Sequence, residues 1–138
     1  MFDTILTSAI KAMPVFAAHF GVTLVILIGG VLIYQALTPQ AEARLIRENN
    51  VAAGIAFGAA ILSLALPLAM CLARSVSIPD ILVWGIVALV VQLATFFIAS
   101  LVFRDLVRRI ERGEVASAVA LGSTHLSVAA INAAAIAG

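Results

Sequence analysis

Four long stretches without a charged residue decide what this chain can become. They cover residues 12–41, 49–73, 81–103 and 115–138, and are 30, 25, 23 and 24 residues long. About 20 apolar residues carry an α-helix across the hydrocarbon core of a bilayer, so each stretch is long enough to span. The remaining composition agrees: 64% of the residues are hydrophobic and 11% are charged, whereas a soluble domain is near a quarter charged. A water-soluble fold of this size could not hide so much apolar surface. The expected class is therefore an all-α membrane protein with four transmembrane helices, forming one membrane domain over residues 1–138.

The first apolar run ends near a formal A-x-A site at Ala41-Glu42-Ala43. Its apolar part, Val15 to Leu37, is far longer than the core of a signal peptide, so a retained span is expected. Cys71 is the one cysteine and lies inside an apolar run. That excludes an intramolecular disulfide and a cysteine-based zinc site. A net charge of +1 gives no case for nucleic-acid binding.

Ahead of the first span, Phe2, Ile5, Leu6, Ala9, Ile10 and Met13 recur at helical spacing, with Asp3, Thr7, Ser8 and Lys11 on the other side. This pattern predicts a short interfacial helix over residues 1–13, broken from the first span by Pro14. The spans are expected at about 15–37, 51–73, 81–103 and 115–138. Thr38-Pro39 closes the first, Pro79 suits the start of the third, and Tyr34 and Trp84 sit where amphipathic rings anchor at the interface.

The chain also repeats itself. A shift of 64 positions pairs Arg44–Ala65 with Arg108–Ala129 and gives nine identities in 22 positions without a gap. Each copy is a charged segment turning into a small-residue helix, so two two-helix repeats are expected, about 15–73 and 80–138. With two helices each, they enter the membrane in the same direction. One side of the membrane then holds Arg44, Arg47, Arg104, Arg108, Arg109 and Arg112, while the other holds only Lys11 and Arg74. Six against two puts the two charged loops in the cytoplasm and both termini outside. The arginines then form a face for anionic headgroups or for a protein partner.

The stretch Glu42…Leu45-Ile46-Arg47-Glu48-Asn49-Asn50-Val51-Ala52-Ala53-Gly54-Ile55-Ala56-Phe57-Gly58…Pro67 resembles the first repeat of the YjfL-like bacterial inner-membrane proteins. Ile110-Glu111-Arg112-Gly113-Glu114-Val115-Ala116 and Ile131-Asn132-Ala133-Ala134 resemble the second. Asn49 stands where that family usually has glycine, and Glu114 where it usually has asparagine. The resemblance implies four spanning helices in a bacterial inner membrane and supplies no catalytic residue. It also suggests a setting near envelope-stress proteins of the phage-shock type.

Polar groups inside lipid carry the functional expectations. On the last helix Ala118, Gly122, His125, Ala129 and Asn132 share one face. Counted at 1.5 Å per residue, His125 and Gln92 both lie about 15–17 Å into the membrane. His19 and Asn132 both lie near the outer ends of their helices. Two hydrogen-bonded pairs, Gln92 with His125 and His19 with Asn132, are expected to fix helix register. Gly54-x-x-x-Gly58 and its repeat counterpart, Ala118 and Gly122, are expected to be helix-packing surfaces. No catalytic triad, phosphate loop or buried carboxylate pair is present, so neither enzymatic activity nor a metal or cofactor is expected. The expected function is that of a non-enzymatic membrane protein that self-associates or joins a membrane complex, acting in envelope maintenance. The alternative is a small channel or transporter subunit with His125 and Gln92 beside the path.

Overall fold

The computed structural model describes residues 1–38 and 42–138 of the chain. Pro39, expected to close the first span, and Ala41 lie outside the described residues. Among the described residues six helices follow one another: α1 (Phe2–Leu37), α2 (Glu42–Arg47), α3 (Val51–Arg74), α4 (Ile78–Val102), α5 (Arg104–Glu111) and α6 (Val115–Ala137). Four of them, α1, α3, α4 and α6, are long and apolar enough to cross a membrane. Among the described residues there is no strand.

One expectation fails at the N-terminus. Residues 2–13 are not a separate interfacial helix; they are the beginning of α1, which runs unbroken through Pro14. A proline costs its helix one N–H bond and crowds the preceding turn. Here the apolar helix continues on both sides of it. At 1.5 Å per residue the 36 residues of α1 measure about 54 Å, well beyond a hydrocarbon core of about 30 Å. The first turns therefore have length to spare outside the span.

The broadest contact in the bundle joins α3 to α6, and α4 packs against both of them. The main contacts of α1 are with α4 and α3. Small residues make the close approach of α3 and α6 possible. Ala52, Ala53, Ala56, Ala59, Ala60 and Ser63 are buried on α3, as are Ser117, Ala118, Leu121 and Gly122 on α6. A Cβ on Gly122 would stand 2.7 Å from the Cβ of Ala59, so the two backbones are as near as glycine permits. Without a hydrophobic drive between helices in lipid, such packing is what holds them. Large apolar side chains such as Phe16, Val25, Val90 and Ile131 are exposed, as expected of lipid-facing positions.

The two charged segments lie together at one end. In each, a short helix closes on a residue with positive φ, Asn49 at 61° and Gly113 at 87°, 64 positions apart. The turns share their hydrogen bonds: Asn50 N–H to the Leu45 carbonyl at 2.9 Å and Glu114 N–H to the Arg109 carbonyl at 3.0 Å. Asparagine is among the few residues besides glycine that enter this region readily, which explains how Asn49 replaces glycine here. The turns also touch. Asn50 Oδ1 accepts from Ala53 N–H and caps α3, while Asn50 Nδ2 donates to the carbonyls of Ile110 and Glu111 at 3.0 and 3.1 Å. One side chain thus caps the start of α3 and the end of α5. Leu45, Val107 and Ile110 anchor α2 and α5 in a core shared with Ala52, Ala56, Ala99, Ala118 and Leu121.

Candidate functional site

The interior of the bundle holds a row of polar groups and aromatic rings. It begins at the charged end, where Glu42 and Tyr34 are both buried and the Tyr34 hydroxyl donates to Glu42 Oε1 at 2.6 Å. The Tyr34 ring meets Phe96 edge-on, 4.7 Å between centroids, and Phe96 meets the imidazole of His125 at 4.5 Å. Gln92, one turn before Phe96 on α4, is fully buried and donates from Nε2 to the His125 carbonyl at 3.2 Å. Four helices contribute: α1 brings Tyr34, α2 Glu42, α4 Gln92 and Phe96, and α6 His125.

This row is poor in partners. Glu42 Oε2, Gln92 Oε1 and both ring nitrogens of His125 are buried with no hydrogen bond among the described residues. A buried polar group without a partner typically costs about 1–3 kcal/mol, so four of them in one row are a functional signal. Burial pushes the Glu42 carboxyl up from 4.5 to about 7, against the hydrogen bond from Tyr34, which lowers it. No Lys or Arg lies within 4.0 Å of this carboxylate among the described residues. Both its charged and neutral forms are accessible near neutral pH.

The residues singled out from sequence fall differently from expectation. Gln92 does reach His125, but through the backbone carbonyl, because the imidazole is turned to Phe96. His19 and Asn132 are not a pair: Asn132 Nδ2 donates to the Ala88 carbonyl of α4 at 3.2 Å. His19 sits half-buried on α1, whose main neighbours are α4 and α3 rather than α6. Tyr34 is inside the bundle, not an interface ring. Ser63 and Ser127 bond back to carbonyls of their own helices. Glu42 was read only as part of a charged segment. Its one signal in the sequence is its place eight residues after Tyr34.

The small-residue surfaces split. Ala118 and Gly122 are buried against α3. Gly54 is exposed and Gly58 half-exposed, and an added Cβ at either would meet nothing within 4 Å. The repeat places them at matching positions, but the buried stripe of α3 runs through Ala52, Ala53, Ala56, Ala59, Ala60 and Ser63 and leaves the two glycines out. Beside Gly54 lies a groove of about 450 Å³ lined by Ile46, Asn49, Asn50, Val51 and Ile55. The arginines Arg44, Arg47, Arg104, Arg108, Arg109 and Arg112 are exposed on or directly after α2 and α5.

Comparison with known proteins agrees with the fold. The family described as Domain of Unknown Function (DUF350) matches residues 5–136. The chain is 35% identical over 119 residues to the UPF0719 inner membrane protein YjfL of Escherichia coli strain K12, covering 86% of this chain and 90% of that protein. The same figures hold for the protein of that name from Escherichia coli O157:H7. No solved structure matches the chain.

Proposed function

The chain belongs to the DUF350 family, and from that premise we propose a non-enzymatic, multi-pass protein of the bacterial inner membrane that self-associates through the outer face of α3 and serves envelope maintenance. The observation that carries this reading is the placement of Gly54 and Gly58. They lie on the most enclosed helix of the bundle, yet an added Cβ at either would meet nothing within 4 Å, and a groove lies beside Gly54. A small-xxx-small surface lets a second helix approach closely enough for packing to hold it in lipid. Gly54→Leu and Gly58→Leu should each shift the protein to a smaller size in mild detergent while leaving its thermal stability near wild type. Unchanged migration of both variants contradicts the interface.

The excess of arginine on the charged end supports an orientation with that end in the cytoplasm and both termini outside. A cysteine introduced at position 43 should then react only with reagents that reach the cytoplasm, and one at position 77 with reagents added outside. Reaction of position 43 from outside overturns the orientation.

A second reading has its own support in the row from Glu42 to His125. Unpartnered polar groups within a membrane bundle mark routes for protons or small cations, and Phe96 separates the imidazole from the Tyr34–Glu42 pair. In vesicles containing the protein, an imposed pH gradient should decay severalfold faster than in protein-free vesicles. Glu42→Gln and His125→Leu should each return the decay to the protein-free rate. Vesicles as tight as lipid alone exclude this reading.

A further inference from the structure

The charged end carries another groove, used neither by the α3 glycine face nor by the interior row. Its volume is about 640 Å³, and it lies among the end of α1, the last turns of α4, and α5. One wall is apolar, built from Leu37, Phe97 and Leu101, all of them substantially exposed. The other is polar and comes from α5, with Arg104, Arg108 and Glu111. Arg104 and Arg108 are four residues apart and so lie on one side of the helix.

These two arginines differ from Arg44, Arg109 and Arg112. Arg109 and Arg112 both reach Glu114, at 2.7 and 3.7 Å, and Arg44 reaches Glu48 at 3.7 Å. Among the described residues no carboxylate lies within 4.0 Å of Arg104 or Arg108. Their donors thus meet no carboxylate among the described residues, and a guanidinium fork matches a phosphate geometrically.

We propose that this groove binds one anionic phospholipid, with its phosphodiester between Arg104 and Arg108 and an acyl chain along Leu37, Phe97 and Leu101. The apolar wall opens at the level where the uncharged run of α4 gives way to the charged segment, which is where a headgroup joins its chains. A soluble anion would have no use for that wall. Two arginines and Glu111 leave one net positive charge, matching one phosphodiester and disfavouring a more highly charged headgroup. Basic pockets between spanning helices are a known form of headgroup recognition; the two arginines and the apolar wall specify this one. The groove lies within one copy of the chain and shares no lining residue with Gly54 or Gly58.

The test uses the full chain in mild detergent, with native mass spectrometry and thermal melting as readouts. Phosphatidylglycerol should bind at one molecule per chain and raise the melting temperature. Phosphatidylcholine at equal concentration should do neither, and glycerophosphoglycerol, the same phosphodiester headgroup without chains, should also fail. The double variant Arg104→Gln/Arg108→Gln should melt like wild type without lipid but bind phosphatidylglycerol at least tenfold more weakly. If that variant is unstable, Arg104→Lys/Arg108→Lys, which keeps charge but loses the fork, should still weaken binding severalfold. Arg44→Gln/Arg47→Gln should leave binding intact. Equal binding of the two lipids, an equal loss in the Arg44/Arg47 variant, or full stabilisation by glycerophosphoglycerol alone overturns the proposal.

Discussion

Gly122→Val should be the most damaging single substitution in the small-residue core, lowering stability by about 2–3 kcal/mol, as overpacking does. The added Cβ would stand 2.7 Å from the Cβ of Ala59. Neither atom can turn away, because each is fixed to its backbone, so α3 and α6 must separate. Separation loses packing along the broadest helix contact in the bundle. The matched control is Gly58→Val at the equivalent position of the other repeat, where nothing lies within 4 Å. Thermal melting in detergent should show Gly122→Val falling on the order of 10 °C for a chain of this size, with Gly58→Val near wild type. Equal melting of the two variants would mean that α3 and α6 are not as close as described.

Asn50→Ala should come next. The substitution removes an N-cap, which typically costs about 0.5–2 kcal/mol. It also strips the Ile110 and Glu111 carbonyls of their shared donor. A total near 2 kcal/mol is expected, read as a melting decrease of several degrees. Asn50→Asp separates the parts, since the carboxylate keeps the cap and loses the Nδ2 donor; it should fall between Asn50→Ala and wild type. The second half has no such device: Glu114 makes no side-chain cap and pairs instead with Arg109 and Arg112. Removing Glu114 should therefore matter less than removing Asn50, because exposed ion pairs contribute little.

Much of the fold was legible because lipid dictates it. A span needs a fixed length of uncharged chain, so α3, α4 and α6 begin and end within a few residues of the uncharged runs. Asn49 and Glu114 stood out in the sequence only as departures from the family's pattern, and the matching turns there emerge from the structure. What escaped was what depends on neighbours. Pro14 looked like a break, but an apolar helix with residues to spare continues past one missing N–H bond. Tyr34 and Glu42 read as an interface ring and a loop charge, whereas they meet inside the bundle through a hydrogen bond between their side chains. Asn132 was matched to His19 by depth, yet depth says nothing of which helices are adjacent, and α4 stands opposite α6 where α1 was expected. The small-residue stripes of the two repeats also part company, with Ala118 and Gly122 buried against α3 and no atom within 4 Å of an added Cβ at Gly54 or Gly58. Equal letters in two repeats do not have equal surroundings.

In the proposed assembly the glycine face of α3 lies between copies of the chain, while that of α6 lies within one copy. Disulfide trapping in native membranes addresses it directly, using single cysteines in a Cys71→Ala background. Gly54→Cys should form a cross-linked dimer rapidly on mild oxidation, and Ala118→Cys, its counterpart 64 positions on, should stay monomeric. A cross-link through position 118 with none through position 54 would contradict the account.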